Sequence, residues 1–268
     1  MTVFEPVPIV ATTSIWADIA SNVTCGEAVV SLIPAGADPH SFEPSLRDRE
    51  LIDGPATIIA NGGGLEGSLT ELLASVDDPP TTTVFEMTDA VRMIEDDPHI
   101  WQDPTLVARA LDVIEAAATV VDRDPLEIAG CTNAYRAELL ALDAEITGLL
   151  APIPPENRVM VTSHDSLEYF ARRYGIEIVG TVIPSINTLA ESNAADLAAL
   201  ADLITERNVS TIFTEQLEST NDAEALAQRL GVRVVPLVTD ALTAEAPGDT
   251  YVGMMRSNAV AIAGALAP

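Results

Sequence analysis

A chain of 268 residues with 48% hydrophobic content has room for two packed cores and needs no metal or dense disulfide framework to fold. Its 41 acidic against 13 basic residues give a formal charge of −28, which excludes nucleic-acid phosphates and anionic lipid surfaces as partners and leaves cations electrostatically welcome. No stretch approaches the ~18 uninterrupted apolar residues of a membrane span, and Cys25 and Cys131, outside any C-x-x-C pair, exclude a thiolate metal site.

In chain order, residues 1–10 show no basic segment followed by an apolar run, so an export signal is not expected within this sequence. Runs rich in β-branched residues at 9–13, 29–33, 57–60 and 82–85 read as strands, each followed by a loop and a helical pattern. Tyr135, Leu139, Leu142, Ile146 and Leu149 then step by four and three residues, an apolar stripe on one long helix, which Pro152, Pro154 and Pro155 end. The strand pattern resumes at 159–162, 178–183, 211–213 and 232–238, and the apolar tail 259–267 reads as a final helix.

Strands alternating with helices predict an α/β protein of two lobes, each with a mostly parallel four-stranded sheet flanked by helices. The N-terminal lobe covers 1–123, a connecting helix 124–151 and the C-terminal lobe 152–268. A helical connector is stiffer than a Gly/Ser linker and predicts a cleft with modest closure. In such sheets the functional loops lie at the carboxyl ends of the strands. The two cysteines read either as inert buried thiols or, in an exported protein, as a bridge closing a long loop.

The chain has three histidines, and each follows a predicted strand: Ala37-Asp38-Pro39-His40, Asp97-Pro98-His99-Ile100-Trp101 and Thr162-Ser163-His164-Asp165. A single loop histidine is ordinarily a surface or structural residue; all three at strand ends point to metal ligation, for which neutral imidazole suits zinc and similar ions. The prolines before His40 and His99 restrict the loop backbone and limit the entropy lost on binding. A fourth ligand would come from another strand-end loop, and the residues alone leave Asp240 and Glu215 both open.

Gly62-Gly63-Gly64-Leu65-Glu66-Gly67 satisfies G-x-G-x-x-G after a strand, with Glu86 downstream, so an NAD-dependent enzyme is the remote rival reading. Glu66 would set a negative charge where pyrophosphate lies, and the pattern follows the third strand instead of opening the sheet. A tight turn that lets the next helix pack closely is the better reading. Ser163, His164 and Asp165 are consecutive and cannot generally face one another as a triad, and no G-x-S-x-G elbow is present.

Further motifs carry a resemblance. Leu32-Ile33-Pro34-Ala35-Gly36-Ala37-Asp38-Pro39-His40-Ser41-Phe42-Glu43-Pro44, then Asp97-Pro98-His99-Ile100-Trp101 with Asp103-Pro104, Val161-Thr162-Ser163-His164-Asp165 and Thr250-Tyr251-Val252-Gly253-Met254 run nearly end to end. Together they resemble the cluster A-I solute-binding proteins of ABC transporters, the ZnuA/TroA-like zinc and manganese binders. The resemblance implies an ion held between two α/β lobes by His40, His99, His164 and Asp240, which takes the place of the family's carboxylate. It also implies a monomer outside the cytoplasm, periplasmic or anchored at the cell surface, that delivers its ion to a membrane permease.

Three imidazoles and one carboxylate suit Zn²⁺, whereas harder Mn²⁺ prefers more oxygen ligands. Four protein ligands leave no position for a catalytic water, so no enzyme is expected. Two departures from the family stand out. The stretch Glu95-Asp96-Asp97 lacks the histidine-rich run of many zinc-specific members, which keeps Mn²⁺ or Fe²⁺ as the alternative cargo, and Gln102 sits where the family often has an apolar residue. A metal-stabilised adhesin is the other alternative, since some relatives carry that label.

Overall fold

The structure is a computed structural model that describes residues 9–53, 57–77, 82–120, 124–190, 192–217 and 220–267. Most of the stretch read for an export signal, 1–8, and the lobe boundary at 123 lie outside the described residues. The chain divides into two compact units, Met1–Pro98 with Pro104–Ala141, and His99–Asp103 with Leu142–Pro268.

The first unit contains β1 (Ile9–Thr13), α1 (Ser14–Val23), β2 (Val30–Ile33), α2 (Leu46–Ile52), β3 (Thr57–Ala60), α3 (Thr70–Val76), β4 (Thr83–Glu86) and α4 (Pro104–Val120). Its four-stranded sheet has the order β2-β1-β3-β4, and every pairing is parallel. The central strands β1 and β3 are buried at every residue, as parallel strands covered on both faces must be, which is why they read as continuous apolar runs. Val10, Leu32, Ile58, Leu69 and Leu73 form the core on one side of the sheet.

Cys25, just past α1, and Cys131 form a disulfide with their Cα atoms 5.4 Å apart. Of the two readings open in the sequence, the bridge is therefore the one realised. Cys131 lies on α5 (Pro125–Leu150), which starts in the first unit and ends in the second. Its buried stripe is Tyr135, Leu139, Leu142, Ile146 and Leu150. Leu149, expected to close that stripe, is half-buried, and its neighbour Leu150 on the other flank of the same face is buried in its place.

The second unit contains β5 (Val159–Thr162), α6 (Glu168–Tyr174), β6 (Glu177–Thr181), α7 (Ala194–Glu206), β7 (Thr211–Glu215), α8 (Asn221–Leu230), β8 (Arg233–Leu237) and α9 (Tyr251–Leu266). Its sheet, β6-β5-β7-β8, is again four-stranded and parallel. Val161, Leu200, Ile204, Ile212 and Leu226 pack one side of it. Strand β7 runs two residues past the expected end at Phe213, since Thr214 and Glu215 still pair with Pro236 and Leu237. Pro236 is tolerated because β8 lies at the sheet edge. Among the described residues no helix is long and apolar enough to cross a membrane.

Candidate metal centre

Three of the four sequence-predicted ligands converge within the second unit. His99 precedes the short 3₁₀ turn Ile100–Gln102, His164 lies in the loop after β5, and Asp240 lies in the loop after β8. All three are at most 2% exposed, and each offers a ligand atom within 4.8 Å of the others. His164 Nε2 is 3.5 Å from Asp240 Oδ2, His99 Nε2 is 4.0 Å from Asp240 Oδ1, and the two imidazole rings meet edge-on at 5.4 Å. A tetrahedral ion with bonds of about 2.0–2.1 Å holds its ligand atoms roughly 3.4 Å apart. The His164–Asp240 pair is thus at about that spacing, and the His99–Asp240 pair is roughly 0.6 Å wider.

Backbone and side-chain hydrogen bonds fix this arrangement. Trp101 Nε1 and Gln102 Nε2 both donate to the Thr239 carbonyl, at 2.8 and 3.3 Å, so the segment after His99 grips the peptide just before Asp240. The Tyr251 hydroxyl donates to the Trp101 carbonyl at 2.7 Å, anchoring the same segment to the first turn of α9. Trp101 also packs its ring at 5.2 Å from that of His99. These bonds explain why His99–Asp103 groups with the second unit although its neighbours in sequence do not. They also account for Gln102, which is fully buried yet polar: its amide engages backbone where an apolar side chain would only fill space.

Glu215, the competitor of Asp240 in the sequence, stands behind His164. Its Oε1 lies 2.7 Å from His164 Nδ1 and accepts from Ser166 Oγ at 2.7 Å, and its Oε2 accepts from Thr239 Oγ1. Burial works to raise this carboxyl, but the adjoining His164 ring and hydrogen bonds from Thr239 and Ser166 outweigh it and hold Glu215 below the usual carboxylate range. The sequence left Glu215 open as a ligand rather than a ring partner and assigned no supporting role to Trp101 or Tyr251; the available signal for Glu215 was a carboxylate ending a strand whose every residue is buried.

His40 belongs to the first unit, in the loop after β2, and is buried. Its backbone N–H donates to Asp38 Oδ1 at 2.9 Å while Ser41 Oγ donates to Asp38 Oδ2 at 2.9 Å, so Asp38 shapes the turn on which His40 sits.

The glycine run has a different use. Glu66 is buried and accepts from Thr12 Oγ1 at 2.5 Å, Asn61 N at 2.7 Å and Gly62 N at 3.2 Å. The backbone donors that a dinucleotide phosphate would need are thereby taken by the chain's own carboxylate. Gly62 has φ +79°, and a Cβ there would lie 2.5 Å from Glu86 Oε2 and from Thr88 Oγ1, so glycine is required by the turn itself. The G-x-G-x-x-G pattern is therefore no cofactor site, and the NAD-dependent reading is set aside.

Parallel α/β sheets with imidazoles and a carboxylate buried together in the loops define an α/β binding protein with chemistry suited to a metal ion. Comparison with known proteins agrees with this class. The family model described as zinc-uptake complex component A, periplasmic, matches residues 9–265. Zinc-binding protein TroA of Treponema pallidum is 30% identical over 276 residues, covering 97% of this chain and 89% of that protein. Manganese-binding lipoprotein MntA of Halalkalibacterium halodurans is 30% identical over 262 residues, covering 95% of this chain and 86% of that protein. The solved structure of the periplasmic zinc binding protein TroA from Treponema pallidum matches with a TM-score of 0.89 at 28% identity, over 97% of this chain and 99% of that one. The chain belongs to the ZnuA family of metal-binding solute-binding proteins of ABC transporters, which are binding proteins and not enzymes.

Proposed function

We propose that this protein captures one zinc ion outside the cytoplasm through His40, His99, His164 and Asp240 and hands it to an ABC permease. The observation that carries this reading is the buried group of His99, His164 and Asp240, whose ligand atoms lie within 4.8 Å of one another. Two imidazoles and a carboxylate in a dry setting need a cation for charge balance and suit zinc better than a harder ion. His40 supplies the fourth ligand; its support is its burial, its proline-restrained loop and its place in the motif that carries the family resemblance. The disulfide favours an oxidising compartment, as export requires.

Manganese is the second reading, favoured by the manganese-binding relative at 30% identity and by the lack of a histidine-rich run before His99. Elemental analysis of purified protein after equilibration with mixed divalent ions tests both. One zinc per chain, lost in His99→Ala, is expected. Preferential retention of manganese reassigns the cargo, and no retained transition metal refutes the reading altogether.

A further inference from the structure

The carboxylate of Glu215 is 4% exposed and ends β7, where donors from separate loops meet it. His164 Nδ1 and Ser166 Oγ each lie 2.7 Å from Oε1, and Thr239 Oγ1 donates to Oε2. Glu215 already accepts from two hydroxyls, and with the carboxylate as acceptor a neutral His164 2.7 Å away carries its hydrogen on Nδ1. That leaves the lone pair on Nε2, the nitrogen that faces Asp240 Oδ2 at 3.5 Å. Thr239 immediately precedes Asp240, so one buried carboxylate holds the ring of one proposed ligand and the backbone of the next.

We propose that Glu215 is the specificity-determining positioning residue of this centre: it fixes His164 as an Nε2 ligand, keeps the His164 and Asp240 loops in register, and biases the site towards zinc over manganese. This rests on the proposed ligation by His164 and Asp240. The bias follows from charge. A carboxylate on Nδ1–H makes the far nitrogen a stronger donor, and the gain is greater for zinc, which binds nitrogen more strongly, than for manganese, which sits at the weak end of the divalent series. Register follows from geometry: without Glu215 the ring can flip or change tautomer, and Thr239 loses its tie to β7.

Glu215→Gln keeps the volume and an acceptor but removes the charge; Glu215→Ala removes both. Zinc and manganese dissociation constants are measured for each by chelator competition, with circular dichroism confirming the fold, and ¹⁵N-histidine NMR of the zinc-loaded proteins reports which nitrogen of His164 binds. For Glu215→Gln, zinc affinity falls about tenfold and manganese affinity by less, so the zinc preference shrinks; for Glu215→Ala, zinc affinity falls roughly 10- to 100-fold and Nδ1-bound His164 appears. Equal losses for both metals with His164 still bound only through Nε2, or zinc affinities within about twofold of wild type, overturn the proposal. Ligation through Nδ1 in the wild type overturns it without any variant. A wild type that binds no transition metal fails the functional reading itself, a separate result.

Discussion

Replacing Cys25 and Cys131 together with serine opens the covalent loop closed in the first unit. The two residues are 106 positions apart, and the chain-entropy relation for a loop of that length gives about 5 kcal/mol at 25 °C. That is as large as the whole stability of a marginal domain, roughly 5–15 kcal/mol. Cys25 is exposed and Cys131 half-buried, so lost packing adds little and the loop entropy dominates. With a urea slope of about 2–3 kcal/mol per molar, the unfolding midpoint falls by about 2 M. Urea titration of the metal-free proteins, followed by circular dichroism, reads this shift, and thiol titration verifies the wild-type bridge. Native zinc affinity stays within about twofold because neither cysteine is a proposed ligand. A midpoint shift below about 0.3 M would refute the entropic argument, and two titratable thiols in the exported protein would remove the bridge as support for an oxidising compartment.

Tyr251→Phe removes the hydroxyl that donates to the buried Trp101 carbonyl. It costs about 1–3 kcal/mol in thermal denaturation and weakens zinc binding severalfold, because the same segment carries His99. Burial raises the Glu66 carboxyl above its ordinary range despite hydrogen bonds from Thr12, Asn61 and Gly62. The folded state therefore holds that proton more tightly than the unfolded chain does; this stabilisation is complete at low pH and is lost as pH rises through the folded value. Relative to Glu66→Gln, wild-type stability falls in urea titrations as pH rises from the ordinary carboxyl range through the raised folded value, and an unchanged difference removes the raised carboxyl from the account. Zinc affinity falls from about pH 7.5 to about pH 5 because protons compete for the imidazole nitrogens; calorimetric titration showing no change argues against histidine ligation.

Much of the architecture was legible from periodicity. The buried central strands β1, β3 and β7 read as strands because both faces of a parallel sheet are covered and the apolar run is continuous. The end of β7 was misread because Thr214 and Glu215 are polar, whereas backbone pairing to β8 continues regardless of side chain. The histidines stood out by scarcity and by position after strands.

What the sequence determined by itself is which residues carry chemistry, since strand order places loops at carboxyl ends and only three imidazoles exist to fill them. What only the tertiary structure decided is the role each acid takes. Asp240 and Glu215 are both carboxylates at or just after a strand end, and local pattern cannot separate them. Packing does: Asp240 faces the Nε2 atoms of His99 and His164, while Glu215 is held at Nδ1 of His164 by Ser166 and Thr239. The same reason applies to Glu66 and to the cysteines, whose partners lie 54 and 106 residues away. Hydrogen bonds and disulfides form between groups that are near in space, and that nearness is set by the folded sheet rather than by sequence spacing.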